Sequence, residues 1–329
     1  MKKKSKLPVS LSSFMFLNAR DQEYKMRSFS SYGPINTKLH YYAPREELVN
    51  RVHIKLIGAN PEEGGHYITV CGPRQTGKTW AMQQILFRLQ NDNKFDVLMI
   101  PLEHLKMEDD IGNILNSIGK RIAEGLNVKI SRTDTPEEFE RIFRNGVLTK
   151  PLVLILDEFD ALAEDAVSTL AGIFRNIYNI RQYQLNETSG EKDYLLHGLA
   201  LLGVRSVLGI ENAKGSPFNV QRSMHIPNLE FTEVAGMFKW YEKESGQQIK
   251  QEVIERVFYE TAGQPGLTCW FAELLTDGFE EIQVDKNKLV DMNYFEESYA
   301  AAVSILPNNN ILNIISKAKK KPYMKTVLE

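Results

Sequence analysis

Gly72-Pro73-Arg74-Gln75-Thr76-Gly77-Lys78-Thr79 follows directly on Tyr67-Ile68-Thr69-Val70-Cys71, and these two stretches together decide the fold. The first has the G-x-x-x-x-G-K-T spacing of a phosphate-binding loop, and the second reads as a short buried strand. The glycines let the backbone curl until several amide N–H groups converge on one anion. Lys78 is then placed to reach the β and γ phosphates, and the Thr79 hydroxyl to ligate Mg2+. Trp80-Ala81-Met82-Gln83-Gln84-Ile85-Leu86 continues as a helix whose positive N-terminal end faces the same anion. Gly72, Pro73, Arg74, Gln75, Thr76, Gly77, Lys78, Thr79 and Trp80 are therefore the expected contacts of a nucleoside triphosphate. A Gly/Lys turn without a ligand does not require a strand before it and a helix after it.

Downstream, Pro151-Leu152-Val153-Leu154-Ile155-Leu156 is an unbroken apolar run of strand length, as in a parallel strand covered on both faces. It ends in Asp157-Glu158-Phe159-Asp160. Alone, this cluster is a solvated turn after a core strand. Paired with an upstream phosphate loop, Asp157 is expected to hold Mg2+ directly or through water, and Glu158 to polarise the water that attacks the γ-phosphate. Asp160 either caps a helix beginning near Ala161 or stands in the outer shell of the site.

The flanking pattern alternates strand and helix. Residues 95–102 and 199–204 read as further strands, and Ile111, Leu115, Ile118 and Ile122 recur at helical spacing. Pro44 with Glu46 and Glu47 marks a helix start running to about Gly58, and Thr135-Pro136 marks another with Thr135 as cap. Leu170, Ile173, Phe174, Ile177 and Tyr178 give one more helix. Such alternation implies a parallel, doubly wound α/β sheet with its ligand at the carboxyl ends of the strands. From Phe231 the pattern is helical, with Thr232 as the expected cap, and a Gly263-Gln264-Pro265 break before a helix through Trp270 and Leu274. The expected organisation is a basic, serine-rich extension over 1–28, a P-loop core over 29–230, and a smaller helical lid and C-terminal region over 231–329. The chain stops within a helix-like pattern at Lys325-Thr326-Val327-Leu328-Glu329, so a further domain is expected beyond it.

A length of 329 residues allows two domains, and a formal net charge of −2 gives no basic excess for general polyanion binding. The lysine clusters at residues 2–6 and 317–321 are either solvated tails or contacts for nucleic acid or acidic surfaces. Two cysteines, Cys71 and Cys269, suggest neither a disulfide framework nor a metal cluster, which points to a reducing, cytoplasmic compartment. The apolar stretch at 7–19 is broken by Pro8, Ser10, Ser12 and Ser13, unlike a secretory leader, and no apolar run approaches the ~20 residues of a membrane span.

With these elements the chain resembles an AAA-type P-loop ATPase. It is similar to the signal-transducing ATPases with numerous domains, the STAND class, and to related bacterial and archaeal AAA-like ATPases. The residues carrying the likeness are 44–48, 72–79, 152–160, Ser216-Pro217-Phe218-Asn219-Val220, 231–234 and Gly263-Gln264-Pro265, over roughly residues 29 to 280. The resemblance implies that Tyr42, Pro44 and Arg45 flank the adenine and that Gly263 and Pro265 close over the nucleotide, although Pro44 replaces the glycine usual before the Arg-Glu pair. The alternative for Gly263 to Pro265 is an ordinary helix-helix turn. The polar residue ending the 199–204 strand would be the γ-phosphate sensor: Arg205, or Ser206, unless Arg205 pairs instead with Asp160 or another carboxylate. Arg175 and Arg181 are either trans-acting arginine fingers of a ring or surface charges on a helix.

Two function classes follow. One is a Mg2+-dependent ATP hydrolase in which Lys78, Arg205 and Glu158 act on the phosphates and hydrolysis drives a conformational cycle. The other is a nucleotide-dependent regulatory switch or interaction module with little turnover, in which a DNA association stays open. A P-loop kinase is weaker, because no acceptor-binding constellation stands beside the Asp-Glu pair. A homo-oligomer and a protein partner or effector domain are expected in either class, while nothing in the sequence decides on nucleic acid.

Overall fold

The computed structural model describes residues 26–203, 222–278 and 284–304. Helix α1 spans Glu46–Ile57, strand β1 Tyr67–Cys71, α2 Lys78–Asp92, β2 Asp96–Pro101, α3 Ile111–Leu126, α4 Pro136–Arg141, β3 Leu152–Asp157 and α5 Glu164–Tyr183. Then come β4 Leu196–Gly203, β5 Arg222–His225, α6 Phe231–Ser245, α7 Gln251–Thr261, α8 Pro265–Thr276 and α9 Met292–Ser304.

The sheet is wholly parallel, in the order β2-β3-β4-β1-β5. Its apolar strands look both ways because both faces are covered. Leu152, Leu154 and Leu156 enter a core with residues of α3, α4 and α5. Val153 and Ile155, one step out of phase, enter a second core with α1 and α2. That alternation is the physical reason β3 is a continuous apolar run: a polar residue at any of its inner positions would face a closed layer. The fold is thus the doubly wound α/β P-loop NTPase architecture expected from the sequence, followed by a helical lid.

The helices after β5 form a third core of their own, built on Phe238, Tyr241, Val253, Trp270 and Phe295. Phe29, Tyr41 and Ala43 join this helical core, not the sheet, although sequence order groups them with the P-loop segment. Phe29 meets Tyr41 at 4.9 Å and Phe238 at 5.3 Å between ring centres. The segment before α1 therefore packs across to the lid.

Several expectations need correction. Thr232 is not the cap of α6: Glu230 occupies that position and exchanges hydrogen bonds with Glu233, so the helix starts two residues earlier than a hydroxyl cap at Thr232 would place it. Pro44 lies outside α1, whose cap is Arg45 in the left-handed region at φ 53°. Thr135 does cap α4, accepting from Glu138 N–H at 3.3 Å. Arg181 is neither a finger nor a surface charge: it is buried, donating to Tyr194 O and, at 2.8 Å, to Ser189 Oγ. β5 was not anticipated; its four residues, Arg222-Ser-Met-His, are too few and too polar to announce an edge strand. Among the described residues no helix is long and apolar enough to cross a membrane.

Candidate functional site: the phosphate loop and its lid

β1 delivers the chain into the loop, and α2 leaves it at Lys78. Gly77 caps α2 at φ 84°, a conformation that a residue with a Cβ adopts only under strain. At Gly72 the constraint is space, since a Cβ there would lie 3.0 Å from Thr76 Oγ1. Thr76, itself buried, donates to Pro73 O at 3.0 Å and so ties the curl of the loop. The Lys78 ammonium donates to Gly72 O at 2.8 Å and to Pro73 O at 2.7 Å. Burial pulls its pKa down, and Asp157 and Asp160 oppose that shift.

β3 ends beside this loop. Asp157 Oδ2 accepts the Thr79 hydroxyl at 2.8 Å, and Asp157 Oδ1 accepts Glu158 N–H at 3.0 Å. A hydroxyl and a carboxylate are hard oxygen donors, the set that Mg2+ takes. Glu158 stands in the left-handed region at φ 58°. Burial first, then the neighbouring Glu103 and Asp157 carboxylates, push its pKa above the ordinary glutamate value. Glu103 was not foreseen as a neighbour; the register Pro101 with Asp157 brings the two strand ends together. Asp160 caps no helix. It lies within the 3-10 turn Phe159–Ala161, and α5 begins only at Glu164 after Ala163. Its carboxylate instead stands at the end of β4, 2.8 Å from where a Cβ on Gly203 would be. Arg205, Ser206 and residues 216–220 lie outside the described residues.

A cavity of about 730 Å3 opens over the loop. Its walls come from Gln75 to Trp80, from Gln83 and Phe87 of α2, from Pro101 and Asp157 at the strand ends, from Ser31 and Gly33–Ile35 before α1, and from Pro265, Gly266 and Cys269 of α8. Of the expected adenine and lid contacts only Pro265 lines it. Tyr42 stands edge-on between Trp80, 5.0 Å away, and Trp240, 5.5 Å away. Arg45 is tied to Asn228 O at 3.1 Å and Glu233 at 3.3 Å, and Pro44 precedes it. Gly263 turns between α7 and α8 at φ 67°, its carbonyl accepting Leu229 N–H at 2.8 Å.

The lid touches the loop by residues that the sequence did not single out. Gln264 Nε2 donates to Arg74 O at 3.0 Å, and Gly266 N–H donates to Gln75 O at 3.2 Å. Gln75, in the left-handed region at φ 58°, sends its side chain to Ser31 O at 3.4 Å. Phosphate loop, lid helix and N-terminal segment thus meet at one residue. Gln264 also caps α8, accepting Leu267 N–H. The only sequence sign of this was its place between Gly263 and Pro265.

Residues 62–189 match the AAA domain family. No curated protein matches the chain. The Walker-type ATPase PABY2304 of Pyrococcus abyssi is similar in structure over 90% of this chain and 80% of its own, at 13% identity and a TM-score of 0.59. Drosophila ORC bound to DNA is similar over 95% of this chain and 72% of its own, at 16% identity and a TM-score of 0.54. The Aeropyrum pernix ORC1 protein in complex with DNA shares 16% identity at a TM-score of 0.49, and the match takes in 78% of this chain but only 65% of that protein. At such identities the likeness is one of fold.

Proposed function

We propose that this chain, whose residues 62–189 match the AAA domain family, binds ATP with Mg2+ in the cavity above residues 72–79 and hydrolyses it. The observation that carries the reading is the 2.8 Å hydrogen bond between Thr79 and Asp157, which joins the two expected metal-holding groups across 78 positions of sequence. Thr79 and Asp157 would hold Mg2+, which would supply charge neutralisation at the phosphate oxygens. The residues of the chain do the rest. Lys78 exchanges the Gly72 and Pro73 carbonyls for the β and γ phosphates, and the loop amides and the N-terminus of α2 hold the anion. Glu158 orients and deprotonates the attacking water, and its raised pKa keeps it nearer working pH than an ordinary glutamate. Arg205 is our candidate for the group that senses the γ-phosphate.

The chain then comprises a sheet core over 29–230 and a helical region over 231–329, preceded by the extension at 1–28. Nucleotide state passes between them through Gln264 and Gly266, whose bonds to Arg74 O and Gln75 O would have to adjust when the loop takes a triphosphate. Those same bonds favour a second reading, a STAND-like switch with slow turnover, in which the nucleotide mainly fixes the lid. Tyr42 and Arg45, the expected neighbours of adenine, are both engaged in packing beside the cavity. A cytoplasmic location, a homo-oligomer, a protein partner or effector domain, and DNA as an effector complete the proposal.

Phosphate release by the purified protein with Mg2+, with and without DNA, tests it against Lys78→Ala and Glu158→Gln. The hydrolase predicts turnover that both substitutions abolish, with Glu158→Gln retaining ATP. A wild type that binds ATP without turnover selects the switch; equal ATP affinity in Lys78→Ala removes the site.

A further inference from the structure

On the sheet face covered by α3 and α4, away from every residue lining the nucleotide cavity, two further hollows of about 580 and 400 Å3 adjoin one another. They share one wall, residues 129–132 of the connection between α3 and α4. This connection is fixed at both ends. Val128 N–H donates to Ala123 O at 3.0 Å, and the buried Thr133 donates its hydroxyl to Leu115 O at 3.4 Å. Gly119 permits the approach, since a Cβ there would lie 2.6 Å from Thr133 Oγ1.

Between these anchors the segment belongs to no helix or strand. Val128 and Ile130 are half-buried, whereas Lys129, Ser131 and Arg132 are exposed. Among the described residues, no backbone hydrogen bond is made by residues 129–132. A backbone edge of this kind is a template for a further strand. The charges at its rim are mostly basic. Lys129 and Arg141 have no ion-pair partner among the described residues, whereas exposed Lys120 pairs with Glu124 at 3.8 Å and exposed Arg132 with Asp134 at 2.6 Å. Ile130, Ile142 and Val147 supply apolar floor in the hollows.

We propose that residues 129–132 are a docking edge for an extended acidic segment of a partner protein, which pairs its backbone with this edge and seats alternate side chains in the two hollows. Backbone pairing supplies affinity, and Lys129 and Arg141 select acidic side chains. A single nucleic-acid strand is the poorer fit. No aromatic side chain lines either hollow to stack a base.

The test uses the full chain and fluorescence anisotropy with three labelled probes: a peptide of alternating glutamate and valine, its lysine and valine counterpart, and an oligo-dT strand. The acidic peptide should bind saturably, the lysine peptide should not, and oligo-dT should bind more weakly. The pair Lys129→Glu with Arg141→Glu should weaken the acidic peptide by about tenfold or more. Lys239→Glu, an exposed reversal on α6, should leave affinity unchanged, and an unaltered melting temperature checks that each variant folds. Lys78→Ala should bind the peptide as wild type does, so a failure of the nucleotide site stays separate from a failure here. Hydrogen exchange at residues 129–132 should slow in the peptide complex. Binding without that protection, binding indifferent to the double reversal, no binding of the acidic peptide, or tighter binding of oligo-dT would each overturn the proposal.

Discussion

Glu158 pays a conformational cost to stand where it does, at φ 58° with its amide held by Asp157, and three influences press on its carboxylate. Burial is the largest, followed by Glu103 and Asp157, and all of them disfavour the charged form. If Glu158 is the base, turnover depends on its deprotonated state and falls as pH drops through a pKa above the usual glutamate range. The acid limb of a kcat profile should therefore lie higher than an ordinary glutamate would set it, and Glu103→Gln should move that limb to lower pH. Glu158→Gln should cost about 100-fold or more in turnover while ATP affinity is kept. His197 makes a prediction of the opposite kind, one of stability. It is buried between Ser189 Oγ at 2.6 Å and Ile57 O at 2.9 Å, and burial drives its pKa from 6.5 down to about 4. The unfolded chain takes up a proton below pH 6.5 that the folded chain refuses, so the contribution is whole above that pH and declines as pH falls toward 4. The loss should reach about 3 kcal/mol. Urea unfolding at pH 7 and pH 5 should show the decline in wild type and a smaller one in His197→Gln.

At the scale of elements, the turn between α7 and α8 is where the lid meets the loop. A Cβ on Gly263 would lie 2.1 Å from Leu229 O, so Gly263→Ala must displace the backbone that leads into α6. It should destabilise the helical region by about 1–3 kcal/mol. Gln264→Ala removes both a cap of α8 and the bond to Arg74 O, and should cost about 1 kcal/mol while loosening the lid on the loop. Calorimetry on both variants checks the order of these losses. What could be read beforehand follows the same division. The phosphate loop, β3 and its acidic end were legible because each is a local pattern whose chemistry is written in adjacent residues. Glu103, Ser31 and Trp240 were not, because strand register and inter-element packing bring them in, and neither has a local signature. Arg181 misled for a related reason: its helical neighbours read as a surface face, yet Ser189 and Tyr194, on the next connection, fold over it. The hydroxyl of Thr232 suggested a cap, but Glu230 supplied the reciprocal bonds with Glu233 first.

Across the whole molecule, polar contacts among the described residues link sheet and lid. Arg45, just before α1, reaches Asn228 O and Glu233, and Gln264 with Gly266 grips the phosphate loop. Phe29, Tyr41 and Ala43 pack in the lid core, and Ser31, two residues after Phe29, accepts the Gln75 side chain. A ligand that touches both bodies stabilises the arrangement it prefers only by its differential affinity for it. The central claim, that Mg-ATP is held between loop and lid, is tested most directly by hydrogen exchange of the intact chain with and without Mg-ATP. The account predicts slowed exchange at residues 72–79 and, in the same experiment, at residues 263–267, far away in sequence. Protection confined to residues 72–79 and the end of β3 would contradict it, leaving Gly263-Gln264-Pro265 as a connection between helices and the nucleotide as a ligand of the sheet alone.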